Sequence, residues 1–399
     1  MILPIFRLLP LLLIVSACAA GDPRTGTNAS YPERVTEAAV SPQLPADHAP
    51  SSSADRETGR LQGALDDHLR IEAARGWPEL PTGPKLEQGA RNGRVEVLRR
   101  RLATSGDLAT ETLDSEIFDD NLAAAVRIFQ ARHGLLVDGI VGPETLAALN
   151  VPVAERITSI RLNLDRIAGE ARDWGQRYIA VNVAAASYRL VEEGHPVLEG
   201  PAIVGKPSWP TPRFESVVTR LEFNPYWNVP PRIARLELWP KIRRDSTYLR
   251  RNNMRIINGN IRQNPGPGNP LGVVKFIFDN PYDVYLHDTN NRGLFERPKR
   301  FLSHGCVRIS GAVELAKHLL RAVPNWQEQR IDATIAAGRN IRVDLERSIP
   351  LHIVYDTVWV DDAGIVQFRD DVYGLDRKPL AVTTAGSSAE PSSCGWSDH

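Results

Sequence analysis

A single cysteine near two histidines is the pattern in this chain with the clearest chemical use. Cys306 follows His304 by two positions and His287 by nineteen, in a sequence of 399 residues that has three cysteines in all. A thiol becomes a nucleophile when a neighbouring base or cation stabilises its thiolate, and histidine is a common base in that role. We therefore expect His287 and Cys306 to form a thiolate–imidazolium couple, which is the chemistry of a thiol acyltransferase or hydrolase.

The elements around this pair must bring it together. Tyr285 and His287 alternate on one face of a predicted strand, 284–287, and His287 stands at the strand's end. Gly305, directly before the cysteine, permits a close backbone approach. The backbone N–H groups of the turn 303–306 are placed to form an oxyanion hole.

The N-terminus predicts export. An apolar run from Ile2 to Val15 is too short for a comfortable membrane span and ends in Ser-Ala-Cys at Cys18. This end resembles a bacterial lipobox, in which the cysteine is lipidated, and Ala20 favours the outer membrane by the sorting rule of enteric bacteria. We expect a periplasmic protein, lipid-anchored to the outer membrane of a Gram-negative bacterium. The alternative is an ordinary signal peptide with a chance cysteine.

The other two cysteines are then the free thiols of an oxidising compartment. A disulfide between Cys306 and Cys394 is the alternative to a free nucleophile. Cys394 lies in a C-terminal tail of small and polar residues that predicts disorder, so the free thiol is favoured.

Composition and periodicity divide the chain into several units. The 48 basic and 48 acidic side chains balance, which argues against a nucleic-acid partner. Predicted units are a signal peptide (1–18), a disordered tether (19–58), a helical lead-in (59–88), a helical module (89–150), a helical connector (151–176), a β-rich domain (177–375) with an insertion at about 228–262, and a disordered tail (376–399).

The module 89–150 carries two amphipathic helical faces and a third helix with Pro143 at its first position. Its sequence from Phe129 to Leu146, with a phenylalanine-glutamine pair and a D-G-I-V-G-P turn, resembles that of the type 1 peptidoglycan-binding domain. The resemblance implies a three-helix fold that holds glycan strands or stem peptides. His133 has no second ligand at a metal-site spacing, so a structural or surface role is favoured over metal binding.

The β-rich domain predicts mostly antiparallel strands and a helix at 312–320 that Ser310 would cap. Its insertion is predicted to be helical, without strands, and is strongly basic. Between Arg232 and Arg262 there are nine Lys or Arg against Glu237 and Asp245, a formal charge of +7. Two interpretations stay open: a solvated helix face, or a mobile lid that attracts carboxylate-bearing substrate.

The motifs H-D-T at His287 and S-H-G-C-V-R around Cys306 resemble the active-site signature of the L,D-transpeptidases of the YkuD type. The runs 224–231, 271–276 and 371–374 further resemble the large Gram-negative branch with a lid and a peptidoglycan-binding module. The resemblance implies a multidomain α+β protein: a small three-helix peptidoglycan-binding domain and a mostly β catalytic domain with a helical lid insertion.

Site roles follow from that resemblance, residue by residue. Cys306 is the nucleophile and His287 the general base, whose imidazole the backbone carbonyl of Asp288 orients; many family members have glycine at that position. The supporting and oxyanion residues are Ser303, His304, Gly305 and Arg308, and the substrate-binding residues are Tyr285, Tyr226 and Trp227. A structural role stays open for His304, and a surface ion pair for Arg308. No cofactor or metal is implied.

The reaction implied by the resemblance is a ping-pong transfer that joins tetrapeptide stems of peptidoglycan by 3→3 cross-links, with Cys306 open to carbapenem acylation. Water as acceptor would make the enzyme a carboxypeptidase or amidase, and a lysine would make it a protein-anchoring enzyme. A non-catalytic lipoprotein that tethers the membrane to peptidoglycan is the alternative from a different class.

Overall fold

A computed structural model describes residues 53–110, 113–170 and 172–376. The predicted signal peptide, most of the predicted tether and tail, the proposed lipidation residue Cys18 and the second thiol Cys394 lie outside the described residues. The first helix begins at Ser53, so the predicted boundary between tether and helical lead-in at 58/59 is too late. None of the helices in the described ranges combines the length and apolar character that a membrane crossing requires.

The described residues contain ten α-helices. Their bounds are α1 Ser53–Ala73, α2 Gly93–Thr104, α3 Asp120–Arg132, α4 Pro143–Leu149, α5 Val153–Gly169, α6 Pro231–Ile233, α7 Trp239–Arg244, α8 Tyr248–Arg251, α9 Ala312–Leu320 and α10 Glu328–Ala336; a π-helical turn spans Ala234–Leu238 and a 3-10 turn Arg292–Glu296.

Helices α2, α3 and α4 form the small module that the sequence predicted. Asn92 and Asp119 cap α2 and α3 by accepting backbone N–H bonds, and Pro143 opens α4 as expected. The predicted apolar faces meet in one core, whose larger members are Leu86, Val95, Leu98, Leu102, Phe118, Leu122, Val126, Phe129 and Leu149. The three-helix fold is confirmed.

His133 has a structural role in this module. Its side chain is buried, its Nδ1 lies 2.8 Å from the Phe129 carbonyl oxygen, and its ring stacks on Phe129 at 3.9 Å and on Phe368 at 5.4 Å. Burial lowers the pKa of this imidazole well below its ordinary value, so it is neutral. The structural interpretation is therefore the correct one, and the contact with Phe368 joins the module to the end of the β-rich domain.

The strands follow the module and the connector helix α5, which ends at Gly169, before the predicted end of the helical connector at residue 176. Their bounds are β1 Tyr178–Asn182, β2 Ser187–Glu192, β3 His195–Gly205, β4 Phe214–Phe223, β5 Trp227–Asn228, β6 Met254–Ile257, β7 Asn260–Gln263, β8 Val274–Ile277, β9 Leu286–His287, β10 Phe301–Ser303, β11 Val307–Ile309, β12 Ile341–Val354, β13 Val358–Val360 and β14 Val366–Phe368.

Within the described residues, nine of these strands build one sheet in the order β10-β3-β11-β9-β8-β4-β12-β1-β2. Most neighbours are antiparallel, as predicted, but β1 with β12, β3 with β10 and β9 with β11 are parallel. The sheet packs against α9 over a core that includes Leu221, Phe223, Phe276, Leu286 and Leu315. The mixed α+β fold class is confirmed.

The start of α9 differs from the prediction. Gly311, not Ser310, is the N-cap residue, with φ at +61° and no side-chain hydrogen bond to the helix. The carbonyl of Ser310 instead accepts a hydrogen bond from the Tyr188 hydroxyl at 2.6 Å. A left-handed entry turn, which glycine adopts without strain, replaces the expected serine cap.

The insertion is also not purely helical, which corrects the prediction. Strands β5, β6 and β7 form a separate three-stranded sheet next to α6, the π-helical turn, α7 and α8. Together they enclose a small core of their own, made of Val229, Ala234, Leu238 and Ile261. Because apolar side chains are divided among three short strands and several short helical segments, no single period is long enough to show in the sequence.

Candidate active site

The cysteine and the histidine lie at the ends of two paired parallel strands. In the β9–β11 register Val307 faces Leu286 and Arg308 faces His287, and the Val307 N–H donates to the Tyr285 carbonyl at 2.9 Å. Cys306 is a half-buried free cysteine whose Sγ lies 3.7 Å from the Asp283 carbonyl oxygen. This pairing places Cys306, just before β11, next to Tyr285 on the strand segment that ends in His287.

His287 is held in one tautomer by its own neighbour. Its Nδ1 lies 2.6 Å from the backbone carbonyl oxygen of Asp288, and the imidazole is buried. A carbonyl oxygen only accepts, so Nδ1 carries the proton and Nε2 is the free, basic nitrogen. The orienting contact predicted for Asp288 is present.

The charge states at rest differ from the predicted ion pair. Burial, then the positive charges of Arg308 and Lys275, lower the pKa of His287 to about 3. Burial raises the pKa of the Cys306 thiol above its ordinary value, opposed by the Tyr285 backbone N–H and by the charges of Lys275 and Arg308. The imidazole and the thiol are therefore both neutral at rest, and thiolate and imidazolium form only as the reaction proceeds.

Asp288 is itself anchored on the neighbouring strand. Its backbone N–H donates to the Val274 carbonyl at 2.9 Å, and its buried carboxylate accepts the Val273 N–H at 3.0 Å. Gly272, with φ at +62°, leaves room for this side chain, since a Cβ there would lie 2.3 Å from Asp288 Oδ2. The aspartate thus fixes the carbonyl that orients His287, a task that glycine at this position would leave to the backbone alone.

The turn that carries the cysteine is folded by Ser303. Its Oγ donates to the Cys306 carbonyl at 2.5 Å and accepts the Gly305 N–H at 3.1 Å. The Gly305 N–H is thus used within the turn and is not an oxyanion donor, which corrects the expectation for that group. Among the described residues, the N–H groups of His304 and Cys306 have no hydrogen-bond acceptor, and these two remain for an oxyanion. Gly305 itself is required by its φ of +108°.

Two residues that the sequence analysis missed support this turn from outside. The Thr211 hydroxyl donates to the Gly305 carbonyl at 2.7 Å and accepts the Gly205 N–H at 2.9 Å. The Tyr373 hydroxyl donates to the Gly205 carbonyl and accepts the Thr211 N–H. No local motif marks Thr211, because its partners lie far away in the sequence.

His304 faces the insertion. Its Nε2 lies 2.7 Å from Glu237 Oε1 of the π-helical turn, and its ring meets Trp209 edge to face at 4.7 Å. The Arg232 guanidinium covers the Trp209 ring at 3.7 Å. His304 therefore joins the cysteine turn to the insertion, and its contacts favour this linking role over proton transfer.

Arg308 stands beside His287 without an ion-pair partner among the described residues, so the surface ion pair left open for it is absent. Its Nε is buried and has no hydrogen-bond acceptor within the same part of the chain. A buried guanidinium donor without a protein partner is suited to an anionic or carbonyl oxygen of a substrate.

A polar cavity of about 410 Å³ is lined by residues of the sheet, such as Lys275, and of the insertion, such as Arg262; Cys306 and His287 do not line it. Its walls include two predicted substrate contacts, Tyr226 and Tyr285, each with a cation over its ring: Arg262 at 3.8 Å and Lys275 at 3.4 Å from the ring centre. Trp227, the third predicted contact, packs against the insertion core instead and does not line this cavity.

The basic residues of the insertion divide between the two interpretations. Arg262 lines the cavity and Arg232 packs on Trp209 beside the cysteine turn. Most of the others are exposed on helix faces, where charged side chains are usually solvated. Within the described ranges, no group of three His, Cys, Asp or Glu residues is arranged to hold a metal ion.

Comparison with known families agrees with this geometry. Residues 176–340, which contain His287 and Cys306, match the family described as "L,D-transpeptidase catalytic domain", and residues 91–149 match the "Putative peptidoglycan binding domain". This protein carries a YkuD-type L,D-transpeptidase domain. The transpeptidase domain and the helical module are therefore the two family assignments on which the remaining inferences rest.

Two curated relatives and a solved structure were found among the similar proteins. A "Putative L,D-transpeptidase" of Haemophilus influenzae is 33% identical over 221 residues, which cover 50% of this chain and 45% of that relative. An N-acetylmuramoyl-L-alanine amidase of Mycobacterium tuberculosis is 41% identical over 80 residues, or 18% of this chain and 20% of the relative. The chain thus spans less than half the length of either.

An L,D-transpeptidase structure from Xylanimonas cellulosilytica is 17% identical and has a TM-score of 0.23. The match covers 68% of this chain and 98% of that one.

The packing of Asp288 on Gly272 predicts a specific coupling. Gly272→Ala should lower the free energy of unfolding by about 3 kcal/mol, because it adds a clash and a left-handed alanine. Asp288→Gly in the same chain should recover about 1–2 kcal/mol by removing the clash. Urea unfolding followed by tryptophan fluorescence measures both. Gly293→Ala, with no atom within 4 Å of the added carbon, is the control; losses that simply add in the double variant would contradict the contact.

Burial of neutral His287 predicts a pH dependence of stability. Below about pH 6.5 the unfolded chain takes up a proton that the folded chain, with a His287 pKa of about 3, does not. The free energy of unfolding should therefore fall as pH drops through this window, by about 1.4 kcal/mol per unit for this group. His287→Gln should remove this part of the slope between pH 7 and 5 in urea unfolding, with exposed His195→Gln as the matched control. Equal slopes in the parent and His287→Gln would refute the assignment.

Proposed function

We propose that this protein is a cysteine L,D-transpeptidase that forms 3→3 cross-links between tetrapeptide stems of peptidoglycan. The observation that carries the proposal is the placement of Cys306 beside the His287 strand, with the Nε2 of His287 left free by the Asp288 contact. The domain match and the similarity to the Haemophilus influenzae relative support the same class of reaction.

The first half-reaction acylates the cysteine. His287 Nε2 accepts the thiol proton while Cys306 Sγ forms a bond to the carbonyl carbon that links diaminopimelate to the terminal D-alanine. The N–H groups of His304 and Cys306 stabilise the oxyanion. The carbon–nitrogen bond then breaks, and D-alanine leaves with the proton that His287 returns. Because the His287 pKa is low, its imidazolium is a strong acid toward that leaving amine.

The second half-reaction resolves the thioester. The side-chain amine of a second diaminopimelate attacks the thioester carbonyl, neutral His287 removes a proton from that amine, and the carbon–sulfur bond breaks. The thiolate takes the proton back from His287, which restores the resting pair. Two stems are then joined by an amide bond, and the free enzyme re-forms without any cofactor.

Charge in the cavity supports a stem-peptide substrate. Its lining combines cationic side chains, among them Arg262 and Lys275, with the acidic Asp279 and Asp283. Diaminopimelate stems present both carboxylates and amines, so walls of both signs are suited to them. We propose that the insertion acts as a lid, since Glu237 and Arg232 join it to the cysteine turn through His304 and Trp209.

The helical module supports the proposal through local concentration. A module that holds glycan strands or stem peptides keeps the catalytic domain near further stems, and effective concentrations of linked sites reach the millimolar range for short connections. The α5 connector and the His133–Phe368 contact join this module to the transpeptidase domain. The substrate and the binding partner are thus the same polymer.

Expression of the chain should produce diaminopimelate–diaminopimelate dimers in digested sacculi, detected by mass spectrometry. Cys306→Ala should abolish them, because no other residue supplies the nucleophile, and Cys394→Ala should leave them unchanged. Equal dimer yield from Cys306→Ala would contradict the proposal. Tripeptides without dimers would identify water as the acceptor, and stems attached to a protein lysine would identify a protein-anchoring enzyme.

We further propose export through the N-terminal apolar run and lipid attachment at Cys18, which would hold the enzyme at the periplasmic face of the outer membrane. The support is the run Ile2 to Val15 followed by Ser-Ala-Cys. Cys18→Ser should shift the chain from the outer-membrane fraction to the soluble fraction after cell fractionation, with Ala19→Ser as the control. The same membrane fraction for parent and Cys18→Ser would exclude the lipid anchor.

A further inference from the structure

One cation near the cysteine has no partner in the resting protein. Lys275 lies on β8 and is half-buried, yet its ammonium makes no hydrogen bond and no ion pair with any residue in the described part of the chain. Its closest contact is the face of the Tyr285 ring, 3.4 Å from the ring centre. A partly desolvated ammonium without a carboxylate is costly to keep, so it is suited to a negative charge that appears later.

The sheet register places this lysine directly beside His287. Lys275 faces His287 across the β8–β9 ladder, and Arg308 faces His287 across the β9–β11 ladder. Residues that face each other across a ladder project from the same side of the sheet. The base is therefore flanked by two cations on one face, Lys275 on one side and Arg308 on the other.

Tyr285 connects the ammonium to the sulfur. Its ring carries the Lys275 ammonium, its backbone N–H lowers the pKa of the Cys306 thiol, and its carbonyl accepts the N–H of Val307, the residue after the cysteine. The charges of Lys275 and Cys306 influence each other: the lysine lowers the pKa of the thiol, and the thiolate raises the pKa of the lysine. Backbone and ring together hold the ammonium near the sulfur.

The acidic residue that faces Lys275 across the sheet has its carboxylate bound to other residues. Glu222 faces Lys275 across the β4–β8 ladder, but its carboxylate accepts the Asn340 side-chain N–H at 2.8 Å and lies 3.7 Å from Arg342. These contacts turn the negative charge of Glu222 toward β12. The positive charge of Lys275 therefore still acts on Cys306, where it lowers the pKa of the thiol.

We propose that Lys275 is a positioning residue of this site, whose ammonium stabilises the negative charge that forms on the Cys306 sulfur when His287 removes its proton. The inference rests on the proposed function, in that Cys306 is the nucleophile. Arg308 supplies a second cation but has a buried donor suited to substrate, so Lys275 is the cation reserved for the thiolate. The Tyr285 ring keeps it in place without neutralising it.

The test measures thiolate formation directly. The rate of Cys306 alkylation by iodoacetamide is followed against pH in the full chain, and the modified Cys306 peptide is quantified by mass spectrometry so that the other cysteines do not interfere. The charged or titratable groups that face Lys275 are Glu222 on β4, Arg342 on β12, His287 on β9, Arg308 on β11, and Asp283, Tyr285 and Cys306 in the adjoining turns. The Lys275 variants leave all of these groups unchanged.

Lys275→Met should raise the pH midpoint of alkylation by about one unit, since an opposite charge at close range shifts a thiol by that order. Lys275→Arg, which keeps the charge, should stay near the parent midpoint. Arg342→Met is the matched control, because it removes a cation from the same face and the same cavity on the far side of Glu222. An unchanged midpoint in folded Lys275→Met, or equal rises in Lys275→Met and Arg342→Met, would overturn the proposal.

Glu222→Gln provides a second test of the proposal if Lys275→Met does not fold. The carboxylate of Glu222 partly cancels the positive charge of Lys275 at Cys306. Without it, the pH midpoint of Cys306 alkylation should fall below that of the parent. A midpoint that stays or rises would overturn the proposal. No peptidoglycan enters this assay, so a chain that shows the predicted midpoints but makes no cross-links would refute the proposed reaction and leave the role of Lys275 intact.

Discussion

The parallel pairing of β9 with β11 is the constraint on which the site depends. It joins a strand of two residues, Leu286–His287, to the three residues that follow the cysteine, and the Val307 N–H to the Tyr285 carbonyl closes the pair. Strands this short contribute little by themselves, so the neighbouring β3 and β8 must hold them. A shift of one residue would turn His287 to the other face of the sheet.

Two supports keep this pairing in register from opposite sides. Asp288, seated on Gly272, holds the imidazole and the end of β9 on β8. Thr211 and Tyr373 hold the cysteine turn on the end of β3. Each support uses a glycine that cannot be replaced freely: a Cβ on Gly205 would lie 2.1 Å from the Trp209 carbonyl oxygen. The geometry of the reacting pair is thus determined by contacts outside the pair, as precise positioning of reactive groups requires.

The electrostatics of the site explain why the Cys306 thiol stays protonated, and therefore weakly nucleophilic, at rest. Burial and two flanking cations disfavour an imidazolium, and burial disfavours a thiolate, so the pair stays neutral until a substrate carbonyl is in place. The same cations then favour the thiolate and make the imidazolium a ready proton donor. A low-pKa base with a high-pKa thiol is an arrangement suited to acyl transfer to a positioned amine.

Much of this was predictable from residue types and motifs, and the remainder depended on tertiary contacts. The spacing of His287 and Cys306 and the apolar faces around Val95 and Leu122 predicted the reacting pair and the helical module. No site role was predicted for Lys275 or Thr211, because their roles arise from ladder register and from partners far away in the sequence. Gly311 replaced Ser310 as the cap because a left-handed turn competed with the side-chain cap.

The central claim is that Cys306 becomes covalently acylated by a tetrapeptide stem with His287 as its base. Intact-mass spectrometry of the full chain, sampled through time with disaccharide-tetrapeptide, tests it most directly. We expect a transient adduct equal to the stem without its terminal D-alanine, located on the Cys306 peptide, that accumulates more slowly in His287→Gln. Cross-linked product without any adduct on Cys306, or an adduct on another residue, would contradict it.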